Sequence, residues 1–236
     1  MLFRSPESQD ALTLLVEVWL RRGRSSEALN ALEYAHELCR RVEVLGRKRA
    51  SLITQLRGTM AGQSAYQQLS HDFPNSAGVL ADWAFLLAEL GQLDEAVRLA
   101  NRAFRLDPER FDLALFLGKR FRQNGQLDRA IYFFGEAARR NPKHLETYLE
   151  LGQTYQQQRQ HGLALDAFEV AMKLAPQDYR AFHLAGLARR DAKDYPMAES
   201  LLRQAVQLAP REVSVRRQLA AVIALNMVQT VQELER

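Results

Sequence analysis

The stretch LETYLELGQTYQQQRQHGLALDAFEVAMKLAPQD, residues 145–178, decides the fold of this chain. Apolar residues stand three and four positions apart through both of its halves, which is the spacing of an amphipathic helix. Pro176 closes the second half, because its ring removes a backbone donor and restricts the residue before it. The stretch therefore predicts two amphipathic helices, the second of which ends near Pro176.

The closing proline recurs at a fixed interval of 34 residues. Five of the seven prolines share this period, namely Pro74, Pro108, Pro142, Pro176 and Pro210. Such a fixed period is the sequence signature of a repeat architecture. If each proline is position 32 of a unit, units begin at residues 43, 77, 111, 145 and 179. One further unit fits from residue 9, and a partial one begins at residue 213.

The residues at fixed positions of the unit resemble a known family. In the quoted stretch they are Tyr148, Leu151, Gly152 and Tyr155, followed by Ala164, Phe168, Ala171 and Pro176. This spacing resembles the tetratricopeptide repeat. The resemblance spans about residues 9–212 and is weaker before residue 77. It implies an all-α, right-handed α-solenoid of about six antiparallel helix pairs, the first two degenerate, plus a C-terminal capping helix.

The period also predicts how the chain is divided. The expected segments are an N-terminal tail (1–8), two degenerate helix pairs (9–76), four regular units (77–212) and a C-terminal capping helix (213–236). Arg40 stands where the first unit would have its proline. Because nothing at that point breaks a helix, we expect the helix that starts near Ser26 to continue past Arg40.

Small residues and turn residues recur within the regular units. Position 8 is glycine in three units (Gly118, Gly152, Gly186), and position 20 is alanine in four (Ala96, Ala130, Ala164, Ala198). We expect these small residues to face each other and to let the two helices of a pair approach closely. Gly91 and Gly125 are suited to end the first helix. Arg159 and Lys193 replace that glycine in the last two units, and we expect longer or looser turns there.

Composition and motifs favour a non-enzymatic protein. The net charge is +4, and the basic pairs are scattered at helical spacing, which is typical of solvated faces rather than of a nucleic-acid stripe. No catalytic, metal-binding or phosphate-binding motif is present, so we predict no enzymatic activity and no cofactor. The single cysteine, Cys39, is expected to be structural. No apolar run is long enough to cross a membrane, and no secretory signal is visible, which predicts a cytoplasmic protein.

In proteins of the family that this chain resembles, positions 2, 5, 6, 9, 12 and 13 of each first helix face a groove. The candidate groove residues are Phe85, Glu89, Phe116, Lys119, Arg122, Gln123, Gln153, Gln156, Arg180, His183, Leu187 and Arg190. Under one interpretation they form only a solvated inner wall. Under the other, apolar residues form pockets while Lys119, Arg122, Arg180 and Arg190 hold an acidic or extended peptide.

One known mode of binding within the family is not expected. Co-chaperones of the family clamp a C-terminal carboxylate with a lysine and asparagine set at fixed groove positions. Positions 6 and 9 of the four regular units contain no asparagine: they are Asp82, Phe116, Glu150 and Leu184, and Phe85, Lys119, Gln153 and Leu187. We therefore predict no binding of heat-shock chaperone tails.

Two functional hypotheses remain open. The first is a protein–protein interaction scaffold that binds a peptide or protein segment in the concave groove. The alternative is a structural subunit that docks into a larger complex, or dimerises, through its N-terminal pair and its apolar C-terminal helix. That helix has an expected packing face formed by Val215, Leu219, Val222, Ile223 and Met227.

Overall fold

The computed structural model describes residues 6–234, with side chains from residue 9 onward, and this part of the chain contains helices and no strand. The helices are α1 Pro6–Arg21, α2 Ser25–Tyr34, α3 His36–Cys39, α4 Glu43–Arg57, α5 Thr59–Asp72, α6 Ala77–Glu89, α7 Leu93–Leu106, α8 Phe111–Gln123, α9 Leu127–Arg140, α10 Leu145–Gln157, α11 His161–Leu174, α12 Tyr179–Asp191, α13 Tyr195–Leu208 and α14 Val213–Leu234. The predicted all-α fold of stacked helix pairs is confirmed. The predicted tail at residues 1–8 falls mostly outside the described residues, and the chain is helical from Pro6.

The helices of the repeated part form pairs of constant length. First helices α6, α8, α10 and α12 have 13 residues each, and second helices α7, α9, α11 and α13 have 14 each. The first helices begin at residues 77, 111, 145 and 179, which are the residues where the 34-residue count begins. The period in the sequence therefore corresponds to one helix pair in the structure.

The chain divides into two compact units, residues 1–113 and residues 114–236. The first unit has one core where α1, α2, α3 and α4 meet and a second core shared by α4, α5 and α6. The second unit has one core around α10, α11 and α12 and another around α12, α13 and α14. Helices α4 and α12 thus each contribute to two successive cores of their unit, which is how neighbouring repeats share a buried interior.

The predicted continuation of the second helix past Arg40 is wrong. Helix α2 ends at Tyr34, the short α3 ends at Cys39, and α4 begins at Glu43. Burial explains the reversal, since Leu38 and Cys39 lie in the same core as Leu45 of α4, and the half-buried Val42 packs against that core. A straight helix would carry these apolar side chains away from one another. The packing therefore turns the chain here without a proline.

The glycines at position 8 accommodate large side chains rather than small ones. A Cβ atom placed on Gly152 would lie 2.5 Å from the ring of Phe168, and one on Gly118 would lie 2.6 Å from the ring of Phe134. At Gly186 the nearest side chain is Leu202, with the carbonyl oxygen of position 20 also 3.3 Å away. The expected small-against-small contact is therefore mostly wrong. The missing Cβ makes room for a large residue of the second helix at position 24 of the unit, which is Phe134, Phe168 or Leu202.

The turns at Arg159 and Lys193 have the same geometry as the glycine turns. Both residues adopt a left-handed backbone, with φ of 60° and 63°, beside 78° at Gly91 and 72° at Gly125. The residue after each turn position donates its N–H to a carbonyl five residues back, for example Gln160 to the oxygen of Tyr155 at 2.9 Å. The expectation of longer or looser turns is wrong, because two non-glycine residues accept the strained conformation instead.

Replacing Arg159 with glycine is expected to stabilise the chain by about 0.5–1 kcal/mol. The left-handed conformation costs a non-glycine residue about 1–2 kcal/mol, and the greater freedom of glycine in the unfolded chain offsets part of the gain. Urea denaturation measures the change. Arg159→Ala is the matched control, since it removes the same side chain but keeps the strain. Equal stabilisation by both variants would contradict this explanation.

Helix α14 is the longest helix of the described residues, with 22 residues. Of its expected packing face, Val215 and Val222 are fully buried, whereas Met227 is 66% exposed. Met227 therefore does not belong to the face that packs. Within residues 6–234 we find no helix with the length and apolar character that a membrane crossing requires.

Candidate functional site

The candidate groove residues fall in both units. Phe85 and Glu89 lie on α6 of the first unit, where Phe85 is half-buried and Glu89 is exposed. The other ten lie in the second unit, on α8 (Phe116, Lys119, Arg122, Gln123), α10 (Gln153, Gln156) and α12 (Arg180, His183, Leu187, Arg190). We call the side chains of α8, α10, α12 and α14 that contact one another across successive first helices the first-helix wall.

Glu150 of α10 is the centre of the contacts between α8 and α10. The ammonium group of Lys119 lies 3.1 Å from one carboxylate oxygen of Glu150, and a guanidinium nitrogen of Arg122 lies 2.5 Å from the other. Arg122 also donates to the side-chain oxygen of Gln153 at 2.8 Å. Because only 7% of Glu150 is exposed, the two cations are what compensate the charge of a buried carboxylate.

Arg180 connects α12 back to α10. Its guanidinium donates to Glu146 at 3.1 Å and to Asp178 at 2.7 Å, and Glu146 also lies 3.6 Å from Lys119. The hydrogen bonds from Arg180 hold the pKa of Asp178 below its ordinary value. Asp178 additionally accepts the backbone N–H of Arg180, so it caps the start of α12 and orients the arginine at the same time.

The far end of α12 is tied to both neighbouring first helices. Gln156 of α10 donates to Asp191 at 2.6 Å, and Arg190 donates to the same carboxylate at 2.7 Å. Arg190 also donates to the side-chain oxygen of Gln218 on α14 at 2.9 Å. The first-helix wall is therefore a continuous network from α8 to α14.

This network pairs every predicted groove cation of the second unit with a carboxylate of the wall. The cations are Lys119, Arg122, Arg180 and Arg190, and their partners are Glu146, Glu150, Asp178 and Asp191. The formal charges of the two sets cancel. The sequence placed Glu150 at a groove position, but none of these pairings was predicted. The contacts made by Glu146 and Glu150 join residues about one repeat apart, and a search for opposite charges at that separation would have found them.

Two recesses open on the wall. One, of about 220 Å³, lies between α10 and α12 and is lined by Glu146, Leu149, Glu150, Gln153, Tyr179, Arg180, His183 and Leu184. The other, of about 320 Å³, is lined by Gln153, Gln156 and Gln157. A glutamine side chain both donates and accepts hydrogen bonds, as a peptide group does. The wall thus offers amide groups beside a partly apolar recess. The charged side chains of the wall are already paired with one another.

His183 faces the first of these recesses from α12. Burial of the imidazole lowers its pKa below the ordinary value of 6.5, and the nearby Arg190 lowers it further. The neutral form is therefore favoured in the folded chain near pH 7, where His183 adds no charge to the wall.

Acidification is expected to destabilise the chain through His183. The pKa of His183 is lower in the folded chain than in the unfolded chain, where it is about 6.5. The stability that neutral His183 contributes is therefore fully present above pH ~6.5, and it is lost as the pH falls through the folded-state pKa. A His183→Gln variant should lose less unfolding free energy between pH ~7.5 and ~5.5 than the unmodified chain. Urea denaturation at each pH measures this. The exposed His71→Gln is the control, and equal slopes for the two variants would contradict the prediction.

The first helices of the first unit are joined in a similar way. Arg47 of α4 forms a bidentate pair with Asp82 of α6 at 2.6 and 3.0 Å, and Lys48 lies 2.7 Å from Glu17 of α1. A recess of about 430 Å³ beside these pairs is lined by Leu20, Val44, Arg47, Lys48, Ser51, Leu52, Gln55 and Asp82. Compensated charge next to apolar side chains is therefore common to both units.

Residues 6–234 contain no cluster of three or more histidine, cysteine or acidic side chains that could hold a metal ion. Cys39 is 1% exposed, and burial raises the pKa of its thiol to about 11. The thiol is therefore protonated at neutral pH and lacks the thiolate that nucleophilic chemistry requires.

Comparison with known proteins agrees with the repeat pattern. A family model described as a tetratricopeptide repeat matches residues 81–144, and a second model of the same description matches residues 121–188. No curated protein sequence matches the chain.

Solved structures share the fold at low sequence identity. The C-terminal part of a TPR repeat-containing protein from Cytophaga hutchinsonii is 17% identical with a TM-score of 0.73, over 88% of this chain and 83% of that one. Pseudomonas aeruginosa PilF is 21% identical with a TM-score of 0.66, over 91% and 98%. YrrB, described as a TPR protein with an unusual peptide-binding site, is 18% identical with a TM-score of 0.63, over 81% and 98%.

Proposed function

The chain is a tetratricopeptide repeat protein, a member of a family of protein-interaction scaffolds, and from this we propose that its second unit binds an extended peptide or protein segment along the first-helix wall. The proposed role is that of a non-enzymatic scaffold. The segment lies across α10 and α12, with main-chain groups on the glutamine amides and an apolar side chain in the recess beside Leu184.

The cancellation of charge on the wall supports a bound segment of low net charge. The carboxylates of Glu150 and Asp191 lie within 3.1 Å of the wall cations with which they are paired. An acidic segment would have to compete with these carboxylates for the same cations. A segment of low net charge meets no such competition, and it can use the amide groups of Gln153 and Gln157. YrrB, which shares this fold, is described as having an unusual peptide-binding site.

Site-specific photo-crosslinking tests where the segment binds. A benzophenone amino acid at position Gln157, exposed on the wall, should capture a defined protein from a cell lysate, and mass spectrometry identifies the captured segment. The same amino acid at Tyr132, which is 59% exposed on the second helix α9, is the matched control. Equal capture at both positions would refute binding at the wall.

The captured segment, made as a synthetic peptide, then tests the chemistry. Gln153→Ala combined with Gln156→Ala should weaken its binding, whereas Gln160→Ala in the following turn should not. Because the wall is neutral, the Kd should change little as salt is raised. A steep loss of affinity with salt would instead indicate that the arginines bind an acidic segment or a nucleic acid.

The alternative of a structural subunit that assembles through its ends has its own observation in favour. The second half of α14 is apolar and exposed, with Val228 at 55% and Val231 at 52%. Peptide binding across α10 and α12 and assembly through the second half of α14 use different surfaces, so one chain can do both.

A further inference from the structure

Helix α7 carries three arginines on its solvent-exposed face. Arg98, Arg102 and Arg105 are four and three residues apart, so at 100° per residue they lie within a sector of about 60°. At 1.5 Å per residue they span about 10 Å along the helix. All three are exposed, whereas the opposite side of α7, with Leu99 and Ala103, is buried. We call these three side chains the arginine stripe.

The arginine stripe differs from the first-helix wall in that its charges lack carboxylate partners. Within residues 6–234, the side chains of Arg98 and Arg105 form neither an ion pair nor a hydrogen bond. Arg102 donates to the backbone carbonyl of Pro74 at 3.3 Å, which leaves its charge uncompensated. The predicted groove cations of the wall, by contrast, are each paired with a carboxylate. Positive charge that an acidic ligand can reach therefore lies on α7 rather than on the wall.

The repeat itself does not require the arginine stripe, which occupies positions 22, 26 and 29 of its unit. In the three later units those positions are Tyr132, Glu136 and Arg139, then Asp166, Val170 and Lys173, then Ser200, Gln204 and Gln207. Like charges three and four residues apart destabilise a helix. Helix α7 alone among these four second helices has three of them, so it contains a repulsion that the fold does not need.

Acidic residues bound the arginine stripe at both ends. Glu95 lies three residues before Arg98, and Glu109 lies four residues after Arg105. Leu106, which is 45% exposed, adjoins the stripe near the end of the helix. Along α7 and the turn after it, the charges are therefore acidic, then basic, then acidic, with an apolar side chain beside the basic part. The complement of this pattern is a segment with a short acidic centre and basic ends.

The pattern favours a carboxylate-bearing protein helix over a nucleic acid. Arginine binds carboxylates through two parallel hydrogen bonds, and carboxylates on a partner helix can repeat the spacing of Arg98, Arg102 and Arg105. A nucleic-acid strand continues its phosphates in both directions, so it would meet Glu95 and Glu109 at the ends of the stripe. The exposed side chains of α7 also include no aromatic ring on which a base could stack.

We propose that the outer face of α7 binds an acidic helix of a partner protein, whose three carboxylates, three and four residues apart, pair with the arginine stripe. An apolar side chain of that helix contacts Leu106. The stripe belongs to the first unit and shares no residue with the first-helix wall of the second. The proposal therefore does not depend on peptide binding at the wall.

Fluorescence anisotropy with two synthetic helical peptides tests the proposal on the full chain. The first peptide has glutamates at i, i+4 and i+7, a leucine beside them and lysines at both ends. The second has the same composition but glutamates at i, i+2 and i+5, which spreads them around the helix. The chain should bind the first peptide at least about fivefold more tightly than the second. Raising the salt concentration should weaken this binding, because the charge pairs are exposed.

Two matched double variants locate the binding. Arg98→Gln combined with Arg105→Gln should weaken binding of the first peptide about tenfold with unchanged helical circular dichroism, because both side chains are exposed. Lys143→Gln combined with Lys173→Gln removes the same charge from exposed positions elsewhere, and it should change the affinity by less than about twofold. Reversal of the whole stripe (Arg98→Glu, Arg102→Glu, Arg105→Glu) should create binding to a peptide in which glutamate and lysine are exchanged.

Any of three results would overturn the proposal: no preference for the first peptide over the second, equal losses in the two double variants, or no binding of the exchanged peptide by the reversed stripe. Tighter binding of a single-stranded oligonucleotide than of the first peptide would also overturn it, in favour of a nucleic-acid site. Gln153→Ala combined with Gln156→Ala, which tests the wall, should leave binding of the acidic peptide unchanged. The two proposals therefore fail independently.

Discussion

Replacing Phe168 with alanine is expected to lower the free energy of unfolding by about 3–5 kcal/mol, the usual cost of deleting a buried phenylalanine ring. Phe168 is fully buried in the core around α10, α11 and α12. Its ring occupies the space beside Gly152, where a Cβ atom would lie only 2.5 Å away. Gly152 has no side chain that could fill the space of the deleted ring, so the substitution leaves a cavity.

The first unit suggests a compensating change. In the pair formed by α6 and α7, positions 8 and 24 are both alanine, Ala84 and Ala100, and both are fully buried. We expect Gly152→Ala to destabilise the unmodified chain by about 1–3 kcal/mol through overpacking against Phe168. In the Phe168→Ala background the added methyl group enters the cavity and should recover about 0.8 kcal/mol. A double-mutant cycle measures whether the effect of Gly152→Ala on the free energy of unfolding changes sign when Phe168 is replaced.

Urea denaturation followed by helical circular dichroism provides the measurements. Leu163→Ala, on the same helix α11 but 48% exposed, is the matched control and should change stability by no more than about 0.5 kcal/mol. A similar loss for Phe168→Ala and Leu163→Ala would contradict the packing explanation. Additive effects of Gly152→Ala and Phe168→Ala would contradict the proposed contact between positions 8 and 24.

The repeated architecture could be predicted because its signals are local. Pro142 and Pro176 each follow the end of a second helix, and α10 and α12 begin three residues after them. A proline stops a helix through the backbone of its own residue and of its neighbours, whatever the rest of the chain does. The helix pairs could therefore be derived from single positions.

The reversal near Arg40 could not be predicted in this way, since no local breaker marks it. It depends on the burial of Leu38 and Cys39 with Leu45, which is a property of the packed core. The contact of Gly152 with Phe168 was likewise hidden, because the sequence shows that both positions recur but not which ones face each other. Tertiary packing decides both features.

The candidate groove residues were placed by resemblance, and their charges were considered singly. The structure of the second unit shows instead that the environment of each cation is set by an acidic residue of the wall, such as Glu150 for Arg122. This pairing depends on the stacking of α8 on α10 and on the reach of long side chains. A prediction limited to one helix therefore overestimates the positive charge that a ligand would meet.

Arg122→Glu is expected to lower the free energy of unfolding by about 3–5 kcal/mol, the cost of leaving a buried charge without its partner. The substitution removes a guanidinium 2.5 Å from Glu150 and replaces it with a second carboxylate. Glu150 is 7% exposed, so water cannot stabilise its charge in place of Arg122. Gln123→Glu adds a carboxylate at an exposed position of the same helix, and its effect should stay within about 0.5 kcal/mol.

Removal of the facing carboxylate tests whether the effect is electrostatic. Arg122→Glu combined with Glu150→Gln takes away the buried charge that lost its partner, and the double variant should recover more than half of the lost stability in urea denaturation. If the double variant is no more stable than Arg122→Glu alone, the loss came from packing of the arginine rather than from its charge.

The dependence of stability on these ion pairs also limits which substitutions can test ligand binding at the wall. A double charge reversal at Lys119 and Arg122 would surround Glu150 with negative charge and unfold part of the unit, so a loss of binding would report on stability and not on recognition. Neutral changes at Gln153 and Gln156 leave the ion pairs of Glu150 in place. They are therefore the substitutions that can separate a loss of ligand binding from a loss of stability.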